Sequence, residues 1–153
     1  MDDSPNMALT EIRAKCRRLK QQHDLKMVVI DYLQLMTSGK RVESRQQEVS
    51  EFSRSLKLLA KELEVPVIAL SQLNRSSEQR TDKRPMVSDL RESGSIEQDA
   101  DMVLLIHRED VYDPESPSAG EAQIIVAKHR NGPTGEITVA FQGAKSRFAN
   151  MPR

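Results

Sequence analysis

Three short apolar runs rich in β-branched residues constrain the fold of this chain more than any other feature. They are Met27–Leu33, Val67–Leu70 and Met102–Ile106. This composition is typical of strands buried on both faces, as in parallel sheets. A predicted amphipathic helix separates the first two runs, because its apolar residues recur in steps of three and four. Those residues are Val49, Phe52, Leu56, Leu59 and Leu63.

The other elements complete an α/β pattern. An amphipathic helix is predicted from Leu9 to Leu19, and the runs Gln123–Ala127 and Ile137–Phe141 flank a Gly-Pro turn typical of an antiparallel hairpin. The order predicts a mostly parallel sheet flanked by helices, with the hairpin at its C-terminal end. Doubly wound sheets usually open with a strand and its ligand-binding loop, so we expect an N-terminally incomplete domain. We expect residues 1–8 and 143–153 to be flexible.

Composition excludes several classes of protein. No apolar run reaches the roughly 18 residues of a membrane span, and the single cysteine, Cys16, cannot form an internal disulfide. This use of cysteine favours the reducing cytoplasm. The net charge is zero, with residues 1–84 net basic and residues 85–153 net acidic. Residues 74–84 are polar throughout and predict a mobile or functional loop that does not pack.

The ends of the predicted strands carry the candidate site residues, because ligands bind beyond the carboxyl ends of parallel strands. Asp31 lies within the first apolar run, directly after Met27–Ile30, in the pattern of a Walker B acid, which holds Mg²⁺. The same pattern also fits a structural acid that caps a strand. Gln72 follows the second run. There is no Walker A motif: Gly39-Lys40 lacks the preceding glycine and is followed by Arg41.

Two further groups of residues suit the binding of anions. Lys128 and Arg130 are two residues apart at a strand end, where alternation predicts one shared side and convergence on a phosphate. The segment Arg91–Gly94 interrupts a short helical piece, and backbone N–H groups at such a break can bind phosphate. Taken in isolation, the residues favour ordinary surfaces in both places: solvated charges at a hairpin for Lys128 and Arg130, and a helical corner for Arg91–Gly94.

Taken together, the segments resemble the C-terminal ATPase domain of DnaB-type replicative DNA helicases, which has a RecA-like fold. Five stretches carry this resemblance, in family order and over nearly the whole chain. They are EIRAKCRRLK (Glu11–Lys20), VVIDYLQLM (Val28–Met36), VPVIALSQLNR (Val65–Arg75), DLRESGSIEQDAD (Asp89–Asp101) and AKHRNGPTG (Ala127–Gly135). Residues 1–153 are then the C-terminal portion of one helicase domain.

The resemblance implies roles at the nucleotide site. Asp31 is expected to be the Walker B acid, holding Mg²⁺ through water. Gln72 is expected to sense the γ-phosphate of ATP and to couple it to the DNA-binding loops. Lys128 and Arg130 match the pair that reaches into the ATP site of the next subunit, with Arg130 as the arginine finger.

The resemblance also implies partners. Arg91, Glu92 and Gly94 match a loop that holds single-stranded DNA, and Lys40 and Arg41 lie where another channel-facing loop is expected. The family forms hexameric rings of identical subunits that translocate on single-stranded DNA and unwind the duplex at the replication fork. A primase and a helicase loader are the expected protein partners, and no membrane is involved.

The chain also departs from the family in ways that affect activity. The Walker A segment and the catalytic glutamate of the family precede the matched region, and Tyr32 follows Asp31 where many Walker B motifs carry a second acid. We therefore expect the isolated chain to be inactive. Two alternatives remain on the residues alone. One is a receiver-like domain phosphorylated on Asp31, and the other is a non-enzymatic assembly module of the same fold.

Overall fold

The computed structural model describes residue 2, residues 7–36 and residues 44–151, with the backbone alone at residues 76 and 91–94. The chain forms two compact units. The first unit comprises Met1–Asn74 and Leu90–Ala100, and the second comprises Arg75–Asp89 and Asp101–Arg153.

The helices and strands alternate along the first half of the chain, and strands dominate the second half. The helices are α1 (Leu9–His23), α2 (Arg45–Leu63), α3 (Ser76–Gln79) and α4 (Gly94–Asp99). The strands are β1 (Val28–Ile30), β2 (Val67–Ala69), β3 (Met102–His107), β4 (Glu121–His129), β5 (Gly135–Gln142) and β6 (Arg147–Ala149). Short 3-10 turns are also present, at Leu33–Leu35, Val87–Ser93, Glu109–Val111 and Gly143–Lys145.

Helix α2 supplies most of the core of the first unit, as its periodicity predicts. It begins after Ser44, whose hydroxyl accepts a hydrogen bond from the Gln47 amide at 3.2 Å. It ends at Leu63, where Glu64 adopts a left-handed conformation ahead of Pro66. The prediction for its apolar face is confirmed, because all five of its predicted core residues are buried: Val49, Phe52, Leu56, Leu59 and Leu63. Helix α1 adds Cys16 to the same core.

Phe52 fills the centre of this core with no exposed surface, so its truncation leaves a cavity. We expect Phe52→Ala to lower the free energy of unfolding by about 3–5 kcal/mol. Leu58 lies on the same helix but is 55% exposed, so Leu58→Ala is the matched control and should change stability by less than about 0.5 kcal/mol. Urea unfolding of the three proteins measures the difference. A Phe52→Ala loss no larger than that of the control contradicts this description of the core.

Strands β1 and β2 form the predicted parallel pair, with Val28 opposite Val67 and Ile30 opposite Ala69. Val28, Ile30 and Val67 pack against the core of the first unit. The prediction that both runs are buried on two faces is wrong for the described residues, because Val29 is 55% and Ile68 49% exposed. Side chains alternate between the two faces of a strand, and the core packs against one face only.

The second unit contains an antiparallel sheet with the order β3-β4-β5-β6. The prediction of a hairpin is confirmed by β4 and β5, whereas β6 was not predicted and lies in a segment expected to be flexible. The third apolar run was predicted as a buried strand of the parallel sheet, but β3 pairs antiparallel with β4. Val103 and Leu105 are buried and Leu104 and Ile106 are exposed, so β3 has one covered face. An apolar run therefore indicates a strand without specifying the direction of its partner.

Residues 74–84 do not behave as a polar loop that fails to pack. The Arg80 guanidinium donates to both carboxylate oxygens of Asp89 at 2.8 Å, and to the Arg84 carbonyl at 2.7 Å. Asp89 is only 3% exposed and also accepts a hydrogen bond from the Met86 amide. A bidentate arginine pair with additional hydrogen bonds satisfies a buried carboxylate, so this polar segment is ordered without an apolar core.

Helices α1 and α2 are joined by a charged cluster that predicts a pH dependence of stability. Hydrogen bonds from Arg17 and Arg13 lower the pKa of Glu62 to about 2. A carboxylate with a depressed pKa stabilises the fold above its unfolded pKa, and this contribution is lost as the pH falls toward its folded pKa. We expect Glu62→Gln to destabilise the chain at pH 7, and the difference to shrink between about pH 4.5 and pH 2.

This prediction is tested by measuring the urea midpoints of the wild type and of Glu62→Gln from pH 7 down to about pH 2. Glu51 is an exposed glutamate on the same helix, so Glu51→Gln serves as the control. A difference between Glu62→Gln and the wild type that stays constant down to about pH 2.5 contradicts the predicted linkage.

Candidate functional site

The carboxyl ends of β1 and β2 bring two predicted site residues to one edge of the parallel pair. The Leu70 amide donates to the Ile30 carbonyl at 2.9 Å, and the Leu33 amide donates to the Leu70 carbonyl at 2.9 Å. These two bonds join the strand ends next to Asp31 and Gln72. Both of these residues are exposed, and the peptide bond between Asp31 and Tyr32 is cis. The edge therefore presents a carboxylate and an amide from neighbouring strand ends.

A third side chain, Gln34, connects the two strand ends. Its Nε2 donates to the Ser71 hydroxyl at 3.1 Å and to the Gln72 carbonyl at 3.2 Å. Its Oε1 accepts from the Gln72 amide at 3.2 Å. Gln34 follows Asp31 by three residues, in the 3-10 turn Leu33–Leu35, from which its amide reaches the end of β2. Sequence reasoning missed this residue, because nothing in its neighbours signals a bridging amide.

Arg45, the first residue of α2, forms hydrogen bonds with the segment that contains Gln34. The Arg45 guanidinium donates to the Gln34 carbonyl at 2.6 Å and to the Met36 carbonyl at 3.0 Å. The same guanidinium also pairs with Glu48, which is 8% exposed. Charge-assisted hydrogen bonds from one arginine to two carbonyls and a carboxylate fix the backbone of this segment.

Lys128 and Arg130 lie at the end of β4 in the second unit. Lys128 on β4 lies opposite Val103 on β3. The register of the two strands changes between Val103 and Leu104. Arg130 follows the last residue of β4, and its amide donates to the Asp101 carbonyl at 2.8 Å. Its Nε lies 3.7 Å from a carboxylate oxygen of Asp101, and about half of the Arg130 side chain is exposed. Sequence reasoning also missed Asp101 as the neighbour of Arg130.

The glycine in the turn after Arg130 lies close to the ring of His129. At Gly132, a Cβ atom would overlap Cε1 and Nδ1 of His129. The imidazole ring therefore occupies the space that a side chain at position 132 would need. This contact places the His129 ring against the backbone that leads away from Arg130, and a side chain at position 132 would require the ring to move.

The predicted DNA-binding residues are described only in part. Arg91 and Glu92 belong to the 3-10 turn Val87–Ser93, and Gly94 begins α4, so this segment is a junction between helical pieces, as predicted. Lys40 and Arg41 lie outside the described residues. The predicted site residues thus fall into two sets. Asp31, Gln72, Arg91, Glu92 and Gly94 belong to the first unit, and Lys128 and Arg130 belong to the second.

The oxygen donors at the edge of β1 and β2 fit Mg²⁺, a hard cation that prefers carboxylate and water ligands. Asp31 would hold such an ion through water, and Gln72 would contact a phosphate with its amide. Among the described residues there is no cluster of three or more His, Cys, Asp or Glu side chains able to hold a metal ion. In the same part of the chain, no helix is both long and apolar enough to cross a membrane.

Comparison with known proteins gives consistent matches. The family described as DnaB-like helicase C terminal domain matches residues 1–150. The replicative DNA helicase DnaB of Leifsonia xyli subsp. xyli (strain CTCB07) is 78% identical over 151 residues, which is 99% of this chain and 33% of that protein. The corresponding helicase of Geobacillus stearothermophilus is 60% identical over 154 residues, which is 100% of this chain and 34% of that protein. The chain thus spans about a third of these relatives.

Solved structures show the same similarity. One solved ATPase domain matches with a TM-score of 0.91 and 47% identity, covering 95% of this chain and 52% of that chain. A DnaB-like replicative helicase, solved in a study of its interactions with primase, matches with a TM-score of 0.90 and 47% identity. That match covers 95% of this chain and 35% of the helicase chain. These similarities confirm the prediction of a RecA-like α/β fold.

Proposed function

Because this chain belongs to the DnaB-like helicase C-terminal domain family, we propose that it forms part of the ATP-driven motor of a hexameric replicative DNA helicase. The chain spans about a third of its curated relatives, so the complete motor requires further sequence of the kind those relatives contain. The observation that carries the proposal is the joined edge of β1 and β2, which presents Asp31 and Gln72 together.

The proposed chemistry at this edge follows from the two side chains. A bound Mg²⁺ would supply positive charge that neutralises the terminal phosphates of ATP. Asp31 is the Walker B acid, which orients that ion through water. Gln72 contacts the γ-phosphate and changes its hydrogen bonding when this phosphate leaves. The site also needs the phosphate-binding loop of a Walker A motif, which this sequence lacks, so we propose that the isolated chain does not hydrolyse ATP.

Lys128 and Arg130 complete the ATP site of the neighbouring subunit in this proposal. Both side chains are cationic, and the bidentate geometry of a guanidinium suits Arg130 to the charge that develops on the transferred phosphoryl group. The partial exposure of Arg130 supports this role, because a residue that acts on another subunit must be accessible. Its ion pair with Asp101 has to exchange for the phosphate when the subunits meet.

We also propose that the helicase translocates on single-stranded DNA held by Arg91, Glu92 and Gly94, with Lys40 and Arg41 on a second loop. The position of the first group at a helical junction supports a contact with the DNA backbone. Primase and a helicase loader are the proposed partners, and the cytoplasm is the proposed location. Among the solved relatives, a replicative helicase was studied for its interactions with primase, which is consistent with this assignment.

The test uses a chimera in which this chain replaces the matched third of the Leifsonia xyli helicase. We expect the chimera to hydrolyse ATP and to unwind a forked DNA duplex, and the isolated chain to do neither. Phosphate release and strand displacement are the measurements. An inactive chimera that still forms rings contradicts the proposal. Labelling of Asp31 by acetyl phosphate in the isolated chain would instead favour the receiver-like alternative.

A further inference from the structure

We infer that Gln34 is a positioning residue that holds the proposed phosphate sensor Gln72 in the orientation needed for coupling. This inference rests on the proposed function and goes beyond it, because it assigns a role to a residue outside the predicted site. The reason is geometric. The amide group of Gln34 binds both the N–H and the C=O of Gln72, at 3.2 Å each.

Two hydrogen bonds from one planar amide to the two backbone groups of one residue restrict the rotation of that residue. Only one orientation of the Gln34 amide satisfies both bonds, because its donor must face the Gln72 carbonyl and its acceptor must face the Gln72 amide. The third bond, from Gln34 Nε2 to the Ser71 hydroxyl, favours the same orientation. The direction in which the Gln72 side chain leaves the backbone is therefore set by Gln34.

The backbone around Gln34 is itself fixed by hydrogen bonds from Arg45. Arg45 donates to the Gln34 carbonyl at 2.6 Å and to the Met36 carbonyl at 3.0 Å, and Glu48 pairs with the same guanidinium. Gln34 lies only three residues after Asp31. Its hydrogen bonds therefore connect the backbone of the sensor, Gln72, to the turn that directly follows the Walker B acid. A displacement of this turn is thus transmitted to the backbone of Gln72 through hydrogen bonds rather than through packing alone.

The experiment is a double-mutant cycle in the chimera with Gln34→Ala, Gln72→Ala and the double variant. We expect Gln34→Ala to lower the kcat for DNA-stimulated ATP hydrolysis by about 10- to 100-fold, because misplacement of a catalytic group by about 1 Å has effects of this size. The KM for ATP should stay within about twofold of the wild type, since the phosphate-binding loop of the chimera makes most of the contacts that bind ATP. The double variant should be no slower than Gln72→Ala alone.

Two further variants separate positioning from general damage. Gln34→Glu keeps the acceptor for the Gln72 amide but loses both donors, so we expect partial activity between wild type and Gln34→Ala. Gln46 is exposed near the start of α2, and Gln46→Ala should leave kcat unchanged. Melting temperatures of all variants are measured alongside. If Gln34→Ala fails to fold, Gln34→Glu with and without Gln72→Ala provides the same cycle.

Each outcome has a separate meaning. Two outcomes overturn the positioning role and leave the proposed function intact. In the first, the losses of the two single variants multiply in the double variant. In the second, Gln34→Ala has the wild-type kcat although Gln72→Ala is slow. Wild-type kcat in Gln72→Ala overturns both the positioning role and the sensor assignment. An inactive wild-type chimera overturns the proposed function and, with it, this inference.

Discussion

Replacing Arg130 by alanine in the chimera is expected to lower the kcat for ATP hydrolysis by about 10³-fold, the lower end of the range for arginine fingers. The guanidinium is the group proposed to stabilise charge on the transferred phosphoryl group, so its loss should affect kcat far more than the binding of ATP. Arg130→Lys keeps the charge but loses the bidentate geometry, and most of the loss should remain. Steady-state phosphate release at saturating ATP measures the effect.

Arg147 provides the matched control for Arg130, because it is an exposed arginine of the same antiparallel sheet. Arg147→Ala should retain wild-type kcat. Ring formation by the Arg130→Ala protein, followed by light scattering, excludes a simple loss of assembly. If Arg130→Ala rings hydrolyse ATP at the wild-type rate, the finger assignment is wrong and the non-enzymatic assembly module of the same fold becomes the better interpretation.

Replacing Asp31 by asparagine is expected to lower kcat by on the order of 10²-fold or more, since metal-ion stabilisation of a phosphoryl transfer is worth several kcal/mol. Asparagine has almost the same shape as aspartate but lacks the charge that attracts Mg²⁺. The concentration of Mg²⁺ needed for half-maximal activity should therefore rise. Asp113→Asn is the control, because Asp113 is an exposed acid in a loop. An unchanged Mg²⁺ dependence would contradict the Walker B role.

The two substitutions also test whether the site is shared between subunits. When Asp31→Asn and Arg130→Ala subunits are mixed, an interface can pair an intact Asp31 with an intact Arg130 from the neighbour. About a quarter of the interfaces in randomly mixed rings have this arrangement. Mixed rings should then hydrolyse ATP faster than rings of either variant alone. Equal rates would place both residues in the same subunit's site.

Several features could be predicted from the sequence because they depend on local patterns. The apolar periodicity of α2, the parallel pair β1 and β2 and the hairpin of β4 and β5 were predicted correctly. The position of Asp31 and Gln72 at the ends of neighbouring strands also followed from the pattern. In each case the signal lies in a short segment, where the period of the apolar residues determines which element forms.

Other features depended on contacts that no short apolar pattern reveals. The partner of β3, the one-sided burial of β1 and β2, and the bidentate pair of Arg80 and Asp89 became clear only in the folded chain. The amide bridge from Gln34 is of the same kind, since it joins residues 37 and 38 positions apart.

The sequence by itself determined the two long helices, α1 and α2, the five strands β1 to β5, and the side chains that stand at the strand ends. Only the tertiary structure decided the pairing of β3 and of β6, which faces remain exposed and which polar groups satisfy one another. The physical reason is that apolar periodicity is a property of a single segment, whereas hydrogen bonds between side chains and distant backbone groups require the chain to bring both partners together.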